Sequence, residues 1–188
     1  MKLHIHTINI NLGSTAMSSA LMAALNDKTT ESQQKPAIGE YWQGQGGIYV
    51  GRGRGRDSGR DYDLILPTDS RTIFKNRSIG TYEIDVKGAT SDHDGLSNTM
   101  ALAAAGSELC KEALEIEIEG HKDFHVPSRI DLRLLWANVP ELFDKEWYLS
   151  STQHSSSYAW IQYVGDGVQL NGSKKVEASC RLVRRSFL

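Results

Sequence analysis

The run Trp147-Tyr148-Leu149-Ser150-Ser151-Thr152-Gln153-His154-Ser155-Ser156-Ser157-Tyr158-Ala159-Trp160-Ile161-Gln162-Tyr163-Val164-Gly165-Asp166-Gly167-Val168-Gln169-Leu170-Asn171-Gly172-Ser173-Lys174-Lys175 decides how the chain is read. Small hydroxyls, amides and glycines are mixed there with Tyr158, Trp160 and Tyr163, and core-forming aliphatics are sparse. The mixture predicts short strands and long loops. It is also the palette of binding surfaces, where flat aromatic rings supply area at low entropy cost and small polar groups adapt their hydrogen bonds. In a strand, Tyr158, Trp160 and Gln162 share one face while Ala159, Ile161 and Tyr163 share the other. The first set is assigned to a ligand and the second to the core; register alone decides between this and the opposite assignment. His154, Ser156, Asp166, Asn171 and Lys175 from the same run complete the predicted ligand-binding set.

Upstream lie the supporting elements. Ser128 opens the clearest helix, with Asp131 three residues on to reach back to the cap amide. Ile130, Leu134 and Ala137 fall on one side of it and Leu132, Leu135 and Trp136 on the other, which predicts a helix covered on both, ended by Pro140. Asp94 is placed to cap a second helix running through Met100, Leu102 and Ala103 to Gly106. A short third helix follows from Ser107. Thr81–Val86 and the alternating Glu115–Glu119 read as strands. Trp42, Trp136, Trp147 and Phe187 are expected in the core. The sum is a domain that mixes short helices with short strands.

A hairpin is predicted from Gly47–Val50 and Tyr62–Leu66, closed by Pro67. Between its arms stands an Arg-Gly run in which Arg52, Arg54 and Arg56 would project from one face as a comb for phosphate, sulfate or carboxylate. Arg-Gly repeats also occur in flexible RNA-binding segments. The plainer reading is a solvated hairpin tip with Asp57 and Asp61 as counter-charges. Residues 1–38 differ from the rest: alternation over Leu3–Leu12 suggests a strand, Ser14–Asn26 a helix, and Thr29–Lys35 a linker. They are read as an arm for attachment or oligomerisation, and residues 39–188 as the binding domain.

A chain of 188 residues is long enough to bury a core without metal or disulfide. Cys110 and Cys180 are far apart and show no metal-ligand spacing. A formal charge of −2 gives no global reason to bind nucleic acid or an acidic membrane. No apolar run approaches the ~20 residues of a membrane span, and the start lacks the apolar stretch of a secretory signal. Synthesis in the cytoplasm is therefore expected, followed by incorporation into a virus particle or action in the host cytoplasm.

Catalytic patterns are scarce. Asp92, Asp94 and Asn98 could offer oxygens to Ca2+, but the closing Glu of a calcium loop is missing, so helix capping by Asp94 is preferred. His121, Asp123 and His125 alternate as a zinc candidate, with hydrogen bonding as the plainer reading. No Gly-x-Ser-x-Gly elbow and no phosphate-cradling loop occurs.

Five blocks resemble one family: Glu40–Tyr49 (EYWQGQGGIY), Asp92–Thr99 (DHDGLSNT), Asp123–Arg129 (DFHVPSR), Trp147–Gln153 (WYLSSTQ) and Arg181–Phe187 (RLVRRSF). In this order they are similar to the C-terminal domain of collagen-like (Lcl-type) adhesins, common in phage and prophage proteins. The match spans roughly residues 39–188, and no Gly-x-y period precedes it. The resemblance implies an α+β, C-type-lectin-like domain with two to three short helices and a small, mostly antiparallel sheet, and adhesion to a host surface glycan, sulfated polysaccharide or protein, often as a trimer. The segment His154–Lys175 is also similar, in place and flavour, to the ligand-contacting region of variable proteins of diversity-generating retroelements. The expectation is a non-enzymatic, phage- or prophage-encoded recognition module without a cofactor. The alternative is an intracellular effector that binds a host or defence protein, or nucleic acid, through the Arg-Gly hairpin.

Overall fold

The computed structural model describes residues 35–56 and 59–188. The strand, helix and linker expected over residues 1–34, and the counter-charge Asp57, lie outside the described residues.

The hairpin forms where the sequence places it. Strand β2 (Gly47–Gly53) pairs antiparallel with β3 (Tyr62–Pro67). A short β1 (Tyr41–Trp42) and the last strand β9 (Arg184–Phe187) complete a four-stranded antiparallel sheet, ordered β1-β2-β3-β9. A second sheet is ordered β4-β8-β5-β6-β7, from β4 (Ile73–Arg77), β5 (Trp147–Gln153), β6 (Tyr158–Tyr163), β7 (Gln169–Ser173) and β8 (Ala178–Arg181). It is antiparallel except where β5 meets β8 at Tyr148 and Ser179. Three helices support the sheets: α1 (Gly95–Ala104), α2 (Glu108–Leu114) and α3 (Arg129–Asn138). The architecture is a small α+β fold, mostly antiparallel, as the resemblance implies.

The helix starts are set by their caps. Asp94 accepts from the Ser97 amide, Ser107 from the Cys110 amide, and Ser128 and Asp131 form a reciprocal capping box. Leu102, Leu109, Phe124, Leu149 and Ile161 belong to a core between α1, α2 and the second sheet. Tyr62, Leu64 and Leu66 of β3 meet Leu132 and Leu135 of α3 in another. On the opposite face of β3, Ile65 packs with Trp42 and Tyr49.

Helix α3 is fixed at both ends. At its start the buried Asp131 carboxylate lies 2.8 Å, through each oxygen, from Arg185 Nη2 of β9. The Tyr62 hydroxyl donates to the same carboxylate at 2.8 Å, and the Arg185 guanidinium stacks 3.9 Å from the Tyr62 ring centroid. Burial alone would raise the Asp131 pKa, but Arg185, His125 and the Ser128 donors outweigh it and hold the carboxyl below its ordinary value. At its far end the Asn138 amide donates to the Val50 carbonyl at 2.8 Å, on a bulge in β2. Gly51, at φ 137°, faces that amide so closely that a Cβ would sit 2.6 Å from Asn138 Nδ2.

Several expectations are corrected. Thr81–Val86 is a loop, with left-handed backbone at Thr81 and Glu83. Glu115–Glu119 is no strand: Glu119 and Gly120, both with positive φ, reverse the chain so that Ile118 and His121 exchange backbone hydrogen bonds. Strand β4 was not foreseen, because its exposed edge position leaves no apolar alternation to read. Only the Leu132–Leu135 side of α3 is buried among the described residues. Trp136 is 39% exposed, its ring lying over Gly167, and Phe187 is exposed beneath the Arg60 guanidinium. Residues 35–38 also belong with the domain: Lys35 Nζ lies 2.6 Å from Asp63, and Gly39 donates to the Tyr49 carbonyl.

Removing one member of the buried pair leaves the other charge stranded. Asp131→Asn is expected to cost about 3–5 kcal/mol in urea unfolding. Because the folded-state pKa of Asp131 is depressed, its contribution is complete above the ordinary carboxylate range and is lost as pH falls through the folded value. The wild-type urea midpoint should therefore drop on acidification by more than that of the variant.

Candidate ligand-binding face

Strand register settles which side of β6 faces outward. Trp160 pairs with Asn171, Tyr158 with Ser173 and Gln162 with Gln169, so these share one face of the β6–β7 ribbon. Ala159 and Ile161 point the other way into the core, as expected. Tyr163 is half-buried, its ring tilted 5.4 Å from Trp147.

Helix α3 crosses this outer face and divides it. Its first residue, Arg129, lays its guanidinium 3.5 Å from the centre of the Trp160 ring. The same guanidinium bonds Gln169 Oε1 at 3.2 Å and Asp92 at 3.4 Å, while His154 meets Trp160 edge-on. Trp160 is thus half-exposed and clamped flat, and Tyr158 beside it is 46% exposed. One turn further along, the Leu132 carbonyl accepts from Gln162 Nε2. Gln162, expected to contact ligand, is buried; its Oε1 accepts from Gln169 at 2.6 Å, so its amide is consumed in holding α3 to the sheet.

The other expected residues separate into two groups. His154, Asn171 and Lys175 are exposed and Ser156 half-buried at the Tyr158 end of the ribbon. The Lys175 ammonium sits 3.8 Å over the Tyr82 ring. Asp166 lies at the opposite end, where it accepts from the Val168 amide in the β6–β7 turn; its role there is to shape the turn. Lys174, passed over in the sequence, is buried: its ammonium donates to the Thr81 and Ile84 carbonyls and to Gln153 Oε1. That single side chain fastens the loop whose continuation, Gly88–His93, lines a surface groove of about 630 Å³ together with Arg56.

Arg52 leaves β2 exposed and lies 3.7 Å from the buried Asp63. Arg54 and Arg56 follow the end of the strand, with Arg54 3.4 Å from Asp61, so strand alternation does not carry the comb past Gly53. Of the calcium candidates, Asp94 is engaged by Ser97 through both carboxylate oxygens, Asn98 is buried against the backbone of Ser91, and Asp92 faces Arg129. His121, Asp123 and His125 turn apart, to the Gly44 carbonyl, to Arg184, and into the core. Among the described residues no group of three His, Cys, Asp or Glu side chains is arranged to hold a metal. Both thiols are free and buried; burial pushes the Cys110 pKa up to about 12 and Cys180 higher as well, so neither supplies a thiolate at neutral pH.

Comparison with protein-family models and with curated proteins finds no match. The face therefore rests on its own geometry. Arg129 and Gln169 were missed by sequence reading, and Asp92 was read only as a calcium candidate. A signal for Arg129 existed, since an arginine in the first turn opposes the helix dipole and signals a partner outside the helix.

Lys174→Met should leave the Ile84 carbonyl without its donor, while the Thr81 carbonyl keeps the Ile84 amide and Gln153 Oε1 keeps the Val86 amide. A loss of about 1–3 kcal/mol in urea unfolding is expected for that one stranded group. Hydrogen exchange at the Val86 amide, which donates to Gln153 Oε1, should accelerate.

Proposed function

We propose that the protein is a non-enzymatic recognition module, of the phage- or prophage-borne adhesin type that its sequence resembles, with a C-type-lectin-like domain that binds a host surface glycan or protein. The supporting observation is the pair Tyr158 and Trp160, set side by side on one face of β6 with the Trp160 ring held flat by Arg129. A half-exposed aromatic whose rotamer is already fixed loses little entropy on binding, which is the condition for a hot spot. Around it, Asn171, His154 and Ser156 supply donors and acceptors of the kind that orient a sugar ring or a peptide edge. Buried, protonated thiols and dispersed imidazoles favour recognition over nucleophilic chemistry.

A glycan array together with a pull-down from host lysate identifies the ligand. Tyr158→Ala and Trp160→Ala should each weaken that binding at least tenfold. Tyr158→Ala should leave the melting temperature within ~2–4 °C, the shift of a 1 kcal/mol change in a domain of this size. Unchanged binding in both variants would reject the reading.

A further inference from the structure

A second surface lies along α3 next to the Trp160 face, which it meets at Arg133, whose Nε donates to Gln169 Oε1 at 2.7 Å. There a groove of about 330 Å³ runs between the helix and the end of β2. Its apolar lining is Ile130, Leu134 and Ala137, the helix face that the sequence predicts to be covered. Its polar lining is Arg52, Arg54, Arg56, Arg133 and His93, and among the described residues no carboxylate lines it. A chain of net charge −2 has here gathered four guanidiniums around one hydrophobic strip. Arg52 and Arg54 have carboxylates behind them, at Asp63 and Asp61, yet their side chains stay 52% and 85% exposed. The solvated Arg54–Asp61 pair is worth little, and the buried Asp63 is held more closely by Lys35 at 2.6 Å than by Arg52 at 3.7 Å, so both arginines are able to engage another anion.

From this arrangement we propose that the groove binds an acidic, amphipathic segment of a partner protein. Apolar side chains would sit on Ile130, Leu134 and Ala137 while flanking carboxylates meet the arginine rim. Three features select this occupant. The apolar strip follows the i, i+4, i+7 spacing of a helix and matches the apolar face of a peptide laid beside it. Guanidiniums pair with carboxylates in two-pronged geometry. The lining holds no Phe, Tyr or Trp ring on which a nucleobase could stack, and its hydrophobic floor does not suit a phosphate backbone. The proposal goes beyond the recognition function above and does not depend on Trp160.

The test is selection of a ribosome-displayed library of random 12-residue peptides on the immobilised full chain, followed by anisotropy with the enriched peptide. Enriched peptides should be acidic with at least one large apolar residue. The enriched peptide should bind Arg133→Glu, Arg52→Glu and Ala137→Glu at least tenfold more weakly than wild type, and Trp160→Ala equally well. All three groove positions are exposed, and unchanged circular dichroism confirms that the variants fold. Enrichment of neutral or basic peptides, no enrichment, or equal binding by Arg133→Glu overturns the proposal. So does tighter binding of a single-stranded 20-nucleotide DNA than of the peptide. Concentration-dependent dimerisation that Ala137→Glu abolishes would assign the groove to a second copy of the chain instead.

Discussion

The contact between Asp131 and Arg185 is the constraint on which the remaining geometry depends. A carboxylate and a guanidinium with almost no access to water are tolerated only when most of their lone pairs and protons are matched, and in this pair only Arg185 Nε is buried without a partner. Here the matching draws on Tyr62 from β3, Ser128 from the cap of α3 and Arg185 from β9, three places far apart in sequence. One carboxylate therefore serves two purposes. It closes the capping box that decides where α3 begins, and it decides where that beginning sits against the first sheet. The helix cannot slide by a residue without unpairing a buried charge.

Once α3 is fixed, the character of both surfaces follows. Its first turn reaches the second sheet, so Arg129 covers Trp160 and the Leu132 carbonyl seals Gln162. A face that alternation alone would make uniform is split into an accessible half and a buried half. The helix's other side looks toward the emerging end of β2, and its apolar residues remain among arginines. A single helix position thus yields one aromatic surface and one cationic groove.

Much of this was legible in the sequence. Caps are local chemistry, and Ser128, Asp131, Asp94 and Ser107 each act where spacing places them. The hairpin could be read because Gly47–Val50 and Tyr62–Leu66 are both β-rich and Pro67 ends the second arm. The inward face of β6 was legible from Ala159 and Ile161. What failed depended on contacts distant in sequence. Gln162 looks identical to an exposed strand amide until α3 is laid over it. Thr81–Val86 has strand composition, but its carbonyls are turned toward Lys174, 93 residues away in the Thr81 contact. Glu115–Glu119 alternates perfectly yet runs into a turn with two left-handed residues, the second of them Gly120. Trp136 and Phe187 were placed inside on size alone, whereas each uses only one side of its ring for packing.

Lys174 has a consequence for the conditions the fold tolerates. Loops whose carbonyl oxygens converge are commonly organised by a bound divalent ion, and their shape then tracks how much of that ion the medium supplies. Here the positive charge organising the Thr81–Ile84 carbonyls is part of the polypeptide and cannot be chelated or diluted away. The 81–86 loop keeps its form in ion-poor surroundings, and the groove wall it leads into is set at synthesis.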